Sequence, residues 1–274
     1  MPELPEVETI KRDLEKKILG LTIEKIFVYD GRVIPHKSDK SFITGLEGKT
    51  IAQIVRRAKA LIIHFVQGDY LVVHLKMTGQ LIYGNNLKKN ENLKETKVVF
   101  RLSNGQHLNY NDQRLFGRLM WVKNLDEVSY LTLVGPEPLN GTFTTSWLTQ
   151  HLKPRAVPIK VLLMDQHFVA GIGNIYASEI LFDARIHPEK LAKRLTGKEV
   201  VCLHSSTQNV LKEAIKCRGT SMRNYRDASG EKGEFKNRIK VYGRENELCG
   251  VCQQSIKKIV QAGRSTFFCK ECQK

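Results

Sequence analysis

The chain reads as an α+β protein: an N-terminal antiparallel β-sandwich flanked by helices, then a C-terminal helical domain that ends in a zinc-ribbon β-hairpin. Three observations predict this. After one amphipathic helix, the apolar residues between 22 and 122 fall into short β-type runs with hairpin punctuation and no crossover helices. From 144 to 217 the period becomes helical. Near the C-terminus four cysteines form two Cys-x-x-Cys pairs.

The first helix is read over 4–19. Val7, Ile10, Leu14 and Ile18 recur at helical spacing, Pro5 suits the first turn and Gly20 suits the stop. Strands are predicted at 22–29, 51–56, 60–66, 70–76, 97–103, 106–110 and 118–122, with Gly68-Asp69 and Asn104-Gly105 as turns. The sheets should be mostly antiparallel. Segment 124–143, with Gly-Pro-Glu-Pro at 135–138, reads as linking sequence. Helices follow at 144–152, 158–164, 174–184 and 196–217. A glycine-rich, charged stretch at 219–237 has no period. Short strands such as Lys240–Tyr242 and Ser265–Phe268 accompany the cysteines. The expected domains are 1–130 (sandwich), a linker at 131–143, 144–237 (helical) and 238–274 (ribbon).

The chain has 274 residues, 41% of them hydrophobic, enough for real cores. The apolar runs at Leu61–Val66 and Leu71–Leu75 are too short to span a bilayer, and no signal segment precedes the first helix. The expectation is a cytoplasmic protein with no membrane partner. Net charge is +16, and residues 186–274, with 19 Lys+Arg against 9 Asp+Glu, carry +10 of it. Such a field suits a polyanion, nucleic acid above all; a solvated basic face is the plainer reading. Cys202 and Cys217, isolated in a helical stretch, read as small core residues.

Cys249, Cys252, Cys269 and Cys272 have the spacing of a tetrahedral zinc ribbon, with 16 residues between the pairs. Four thiolates fill the coordination sphere, so one Zn²⁺ here is structural. Arg264, on the hairpin between the pairs, can meet a phosphate. GIGNIY at 171–176 precedes a helix. Its glycines would let backbone N–H groups approach a phosphate, with Asn174 at the cap. A tight interhelical turn explains the same residues.

The start, MPELPE, carries a second kind of chemistry. Removal of Met1 would leave Pro2 as a free secondary amine, with an ordinary α-amino pKa of about 7.7–8 and thus partly neutral at pH 7. A neutral amine can attack an electrophilic carbon. The adduct of a secondary amine with a sugar aldehyde is an iminium that cannot shed a proton, so it remains an electron sink and favours elimination. Glu3 is near enough to exchange protons, and Glu6, in the first helical turn, could order water or tune the amine. Helix capping alone would also explain Pro and Glu here.

Taken together, MPELPEVET, RRAKALI (56–62), HLKMTG (74–79), NDQRLFG (111–117), GPEPL (135–139), PIKVLLMDQ (158–166), GIGNIYASEILF (171–182), VYGR (241–244) and AGRSTFFCKECQK (262–274) resemble the formamidopyrimidine-DNA glycosylases over the whole chain. The resemblance implies a bifunctional base-excision-repair enzyme that acts on duplex DNA carrying oxidised purines or abasic sites, as a monomer with one zinc. Pro2 would be the Schiff-base nucleophile and Glu3 the proton donor at the sugar oxygen. Lys59 would serve β-elimination and contact phosphate, and Arg264 would serve δ-elimination. Met77, Arg114 and Phe116 would fill the hole left by the flipped base, offsetting part of the cost of extrusion. His74, Arg155, Lys160 and Asn174 would contact backbone phosphates, and Glu179 matches a family carboxylate. GIGNIY would be the turn of a helix–two-turn–helix element. Residues 219–235 would form a loop over an everted 8-oxoguanine, held by amides near Met222, Arg223, Asn224 and Tyr225. The chain departs from some members at Lys94-Glu95-Thr96-Lys97, where they carry a histidine pair; Lys94 or Lys97 could replace that contact. The sister enzymes for oxidised pyrimidines, which usually begin proline-glutamate-glycine, are the nearest rival. A non-enzymatic zinc-ribbon protein and a basic ribosomal or chromatin protein are the others.

Overall fold

Helix α1 (Leu4–Ile18) turns Val7, Ile10, Leu14 and Ile18 inward, each at most 1% exposed. They meet two four-stranded sheets in the computed structural model, which describes residues 1–35, 37–85 and 95–274. The first sheet has the order β1 (Ile23–Val28), β6 (Thr96–Leu102), β7 (His107–Asp112), β5 (Gly79–Tyr83). The second has the order β2 (Ile51–Arg57), β3 (Ala60–Phe65), β4 (Tyr70–His74), β8 (Arg118–Val122). Every pairing is antiparallel. One core joins the inner faces of both: Ile26, Val98, Phe100 and Tyr110 from the first, Ile54, Leu61, Ile63 and Val73 from the second. The expected sandwich is therefore present.

β3 is buried on both faces, which explains its unbroken apolar run. Its outer side, with Ala60 and Ile62, is covered together with Val72 of β4 by Val128 and Leu131. These belong to the segment read as linker, which here contains the short helix α3 (Ser129–Leu133). Two further elements went unread. Helix α2 (Asp39–Leu46) is capped by the Ser38 side chain and buries only Phe42 and Leu46. β5 is a five-residue strand defined by its pairing with β7, too short to show a period.

The chain divides into two compact units, Met1–Thr132 with Cys217–Glu234 and Leu133–Lys216 with Phe235–Lys274. The stretch read as a loop of the helical domain thus packs with the sandwich. Tyr225 and Ala228 lie in the sandwich core, and the Tyr83 N–H donates to the Ala228 carbonyl at 2.8 Å.

The second unit holds α4 (Thr145–Leu152), α5 (Ile159–Met164), α6 (Asn174–Asp183), α7 (Gly197–Lys216) and the hairpin β9 (Lys257–Gln261) with β10 (Arg264–Phe268). Lys240–Tyr242 is not a strand. The Glu179 carboxylate, 2% exposed, takes the three N–H groups that a neighbouring strand would have used: Lys240 at 2.8 Å, Val241 at 3.0 Å and Tyr242 at 2.8 Å. Cys202 and Cys217 are not core residues. α7 buries Val200, Leu203, Ser206 and Thr207 on its inner stripe and leaves Cys202 exposed, while Cys217 beyond its end is half-buried. No helix among the described residues is long and apolar enough to cross a membrane.

Candidate active site and zinc ribbon

Met1 is exposed, but burial begins with the residue after it. Pro2 is buried, Glu3 is 3% exposed and Glu6 is 2% exposed. The Glu3 N–H donates to Glu6 Oε2 at 2.7 Å, so the helix start is internally capped. Glu6 Oε1 accepts the Thr220 N–H, also at 2.7 Å. One carboxylate therefore joins the chain start to the root of the 219–235 segment. Both its oxygens face backbone, so Glu6 acts by holding these groups.

Lys59 sits in the two-residue turn between β2 and β3, where Arg57 pairs with Ala60, and it is 5% exposed. It shares the environment of the chain start. The amine of residue 1 is lowered from its ordinary pKa of 8.0, chiefly by burial; Glu3 and Glu6 oppose this, and the Lys59 and Arg223 charges add to it. Residues far apart in sequence thus converge on one terminus.

His74 lies beside this turn, paired with Ala60 across β3 and β4. Burial, with the Lys76 and Lys59 charges adding, pushes its pKa down to about 3, so the ring is neutral at pH 7. Its Nδ1 accepts the Lys76 N–H at 3.1 Å, which leaves the proton on Nε2. Any phosphate contact from His74 is then a neutral hydrogen bond, from a residue only 6% exposed.

Met77, Arg114 and Phe116 are exposed on two neighbouring loops, with the Arg114 guanidinium 4.6 Å from the centroid of the Phe116 ring. Asp112, fully buried, builds this arrangement, and sequence reasoning missed it. Its Oδ2 accepts the Gly117 N–H at 2.7 Å, and its Oδ1 accepts the Arg114 N–H at 3.2 Å and the Thr78 hydroxyl. Thr78 in turn accepts the Arg114 N–H at 3.0 Å, tying the Met77 loop to the Arg114 loop. A Cβ at Gly117 would overlap the Tyr110 hydroxyl, so only glycine fits beside Asp112. An Asp between NYN and QRLFG was the available signal.

In the 219–235 segment, Met222, Arg223 and Asn224 are exposed. Tyr225 is 7% exposed, and its hydroxyl donates to the Arg218 carbonyl at 3.1 Å, so its side chain anchors the loop from below. Arg218 bridges Asp13 of α1 and Asp227, closing the loop onto the helix. Lys97 is half-buried in β6, and Lys94 lies outside the described residues.

In the second unit, Asn174 is the first residue of α6 and Gly173 is the cap. The Asn174 side chain does not cap its own helix. Its amide donates to the Ser265 carbonyl at 2.9 Å, and its oxygen accepts from Lys160. Lys160 is fully buried, and its ammonium also reaches the Thr266 hydroxyl at 2.7 Å. An ammonium so placed ties the α6 start to β10 and does not present itself to a phosphate at the surface. Arg155 is exposed beyond α4, and Arg264 is exposed at the tip of the β9–β10 hairpin, whose turn uses Ala262 and Gly263 at φ 46 and 71.

The Sγ atoms of Cys249, Cys252, Cys269 and Cys272 lie within 4.8 Å of one another, with Cys252 to Cys269 at 3.3 Å and Cys249 to Cys272 at 3.9 Å. A tetrahedron with Zn–S bonds of about 2.3 Å has edges of about 3.8 Å, so the donors fit the ion. Without a cation, burial and the neighbouring sulfurs push the Cys272 thiol up to about 12; a divalent ion reverses that. The protein holds one structural zinc.

Over residues 1–119 the chain matches the formamidopyrimidine-DNA glycosylase N-terminal domain, over 134–226 the H2TH domain of the same enzymes, and over 246–274 a zinc finger found in FPG and IleRS. It is 43% identical to the formamidopyrimidine-DNA glycosylase of Desulforamulus reducens, covering 100% of this chain and 99% of that one. The chain belongs to the formamidopyrimidine-DNA glycosylase family. A family member from Chloroflexus aurantiacus is 42% identical, covering 100% of this chain and 98% of the other. Among solved structures, the MutM (Fpg) protein of Thermus thermophilus matches with a TM-score of 0.88 at 37% identity, over 99% and 98% of the two chains. Lactococcus lactis Fpg in complex with DNA containing an abasic site matches with a TM-score of 0.90 at 36% identity, over 99% of each chain.

Proposed function

We propose that this chain flips oxidised purines, 8-oxoguanine and formamidopyrimidines, out of duplex DNA, releases the base through a Schiff base on Pro2, and nicks the strand by β,δ-elimination. The family is one of bifunctional DNA glycosylases and abasic-site lyases that serve base-excision repair. The observation that carries the finer reading is the burial of Pro2, Glu3 and Lys59, with the Glu3 and Lys59 charges both felt at the terminal amine. Relatives crystallised with abasic-site and Fapy-dG DNA support the choice of lesion.

With Met1 removed, the neutral Pro2 nitrogen attacks C1′. The bonding pair of the glycosidic bond leaves with the base, which takes up a proton. Glu3 protonates O4′ as the sugar ring opens, and the cationic iminium forms. Loss of a C2′ proton expels the 3′-phosphate, and a second elimination expels the 5′-phosphate; water then frees Pro2. Lys59 serves the first elimination and Arg264 the second. Met77, Arg114 and Phe116 fill the vacated stack, with Arg114 toward the orphaned cytosine. The 219–235 loop covers the everted base with its amides. Arg155 and Asn174 contact backbone phosphates, and Lys160 acts indirectly by holding Asn174.

Borohydride trapping on 8-oxoguanine and abasic duplexes tests this. Protein whose intact mass shows loss of Met1 is expected to give a covalent adduct, and Pro2→Gly to give none. An adduct that survives Pro2→Gly, with base release unaffected by Glu3→Gln, would refute the mechanism. A thymine-glycol duplex excised faster than the 8-oxoguanine duplex would reassign the substrate to oxidised pyrimidines.

A further inference from the structure

The turn that carries Lys59 is held from two sides by residues with no role so far. Ala58, its first residue, is fully buried with φ 51, a left-handed conformation that a non-glycine residue adopts at a cost of about 1 kcal/mol. Such a conformation persists only where the surroundings over-determine it. On one side, Arg56 Nη1 donates to the Ala58 carbonyl at 3.0 Å, while its Nε donates to Glu8 Oε2 at 3.0 Å. The Arg56 side chain is 8% exposed, so this is a largely desolvated, directional pair. Glu8 stands on α1, the helix that Glu3 caps and whose first turn holds Glu6. The pair therefore fixes the turn against the element that places the terminal amine.

On the other side, the Lys59 N–H donates to the Tyr130 hydroxyl at 3.3 Å, and the Tyr130 ring packs edge-on against His74 at 5.1 Å between centroids. Tyr130 is on α3, in the segment that the sequence presents as a mere connection. The packing of that segment against the second sheet requires apolar residues such as Val128 and Leu131. It does not require a hydroxyl that meets the backbone of Lys59.

We propose that Tyr130, together with the Glu8–Arg56 pair, is a positioning residue for Lys59: the hydroxyl and the guanidinium hold the Ala58–Lys59 turn so that the ammonium stays in register with the Pro2 amine. The inference rests on the reading that Lys59 serves the elimination step. A misplacement of about 1 Å at a reacting group can cost up to a hundredfold in rate. Loss of one of the turn's hydrogen bonds should cost less, about three- to tenfold.

The test compares strand nicking and borohydride trapping on a preformed abasic duplex for wild type, Tyr130→Phe, Arg56→Lys, Lys59→Ala and the double variant Lys59→Ala/Tyr130→Phe. Tyr130→Phe keeps the ring and removes only the hydroxyl. Arg56→Lys keeps the charge opposite Glu8 but cannot also reach the Ala58 carbonyl with a second donor. Each should slow nicking about three- to tenfold, leave the rate of adduct formation unchanged, and keep thermal stability close to wild type. In the Lys59→Ala background, Tyr130→Phe should have no further effect, a result that general loosening of the fold would not give. Unchanged nicking in both single variants, or an equal loss in the Lys59→Ala background, overturns the positioning role alone. Unchanged nicking in Lys59→Ala overturns the reading of Lys59 itself and the proposal with it.

Discussion

Glu6→Gln cuts a side chain that joins the start of α1 to the root of the 219–235 loop. Each carboxylate oxygen accepts a backbone N–H at 2.7 Å, from Glu3 and from Thr220, in a group 2% exposed. Glutamine retains one oxygen and presents an NH₂ group in place of the other, facing a donor. One hydrogen bond to a charged acceptor is lost, worth about 1.5–3 kcal/mol, and one buried N–H is left unpaired at an overlapping cost of about 1–3 kcal/mol. The combined loss is about 2–4 kcal/mol. The Glu3 bond closes a local ring within α1, whereas the Thr220 bond spans 214 residues of sequence, so the loop root should give way first. At about 1.4 kcal/mol per factor of ten, the open population of the loop should rise between thirtyfold and several hundredfold. Hydrogen exchange at the Thr220 amide reads this opening directly. Trapping on an 8-oxoguanine duplex should fall further than trapping on an abasic duplex, which has no base for the loop to hold. Gly219→Ala attacks the same contact from the other side: its φ is 80, and a Cβ would lie 2.8 Å from Glu6 Oε1. Wild-type protection at Thr220 in both variants would refute the link.

Two other outcomes follow from the site. Asp112→Asn can satisfy the Gly117 N–H or the Thr78–Arg114 side, but not both, so the Met77 and Arg114 loops should lose their register. We expect about tenfold weaker binding to a duplex bearing an abasic analogue, read by fluorescence anisotropy, with no change in far-ultraviolet circular dichroism. The His74 imidazole, at about 3 in the folded chain against about 6.5 unfolded, binds a proton more weakly when folded. Its contribution is fully present above about 6.5 and is lost as pH falls toward 3. Thermal unfolding followed from pH 7 to 4 should show a falling limb that His74→Gln makes shallower.

Local patterns carried much of the fold. The period of α1, the β-type runs of seven strands and the helical second half are properties of neighbouring residues, and each met its element within a few positions. The errors have a common cause. α2 and β5 are short elements, fixed by a cap and by a partner strand. Lys240–Tyr242 has strand composition, but a buried carboxylate from α6 takes its N–H groups before any strand can. Cys202 is small and apolar, yet it falls on the outer stripe of α7. For the site, residue types and spacing singled out Pro2, Glu3 and the cysteines, and the family resemblance added Lys59. Nothing local distinguished Tyr130 or the Glu8–Arg56 pair, because their partners lie 71 and 48 residues away.

The sequence by itself determined the chemistry that is available: a proline next to Met1, four thiols at the spacing of a zinc ribbon, and a strongly basic C-terminal third. Only the tertiary structure decided which of these groups meet. It buried Pro2 and Glu3, gave both oxygens of Glu6 backbone N–H partners, and turned Lys160 from an expected phosphate contact into an internal tie. It also moved the 219–235 segment from its sequence neighbours to the sandwich. The physical reason is that composition and spacing report the short-range preferences of backbone and side chain. Burial and hydrogen-bond satisfaction depend on which distant groups close around an atom, and that is settled only when the sheets and helices pack.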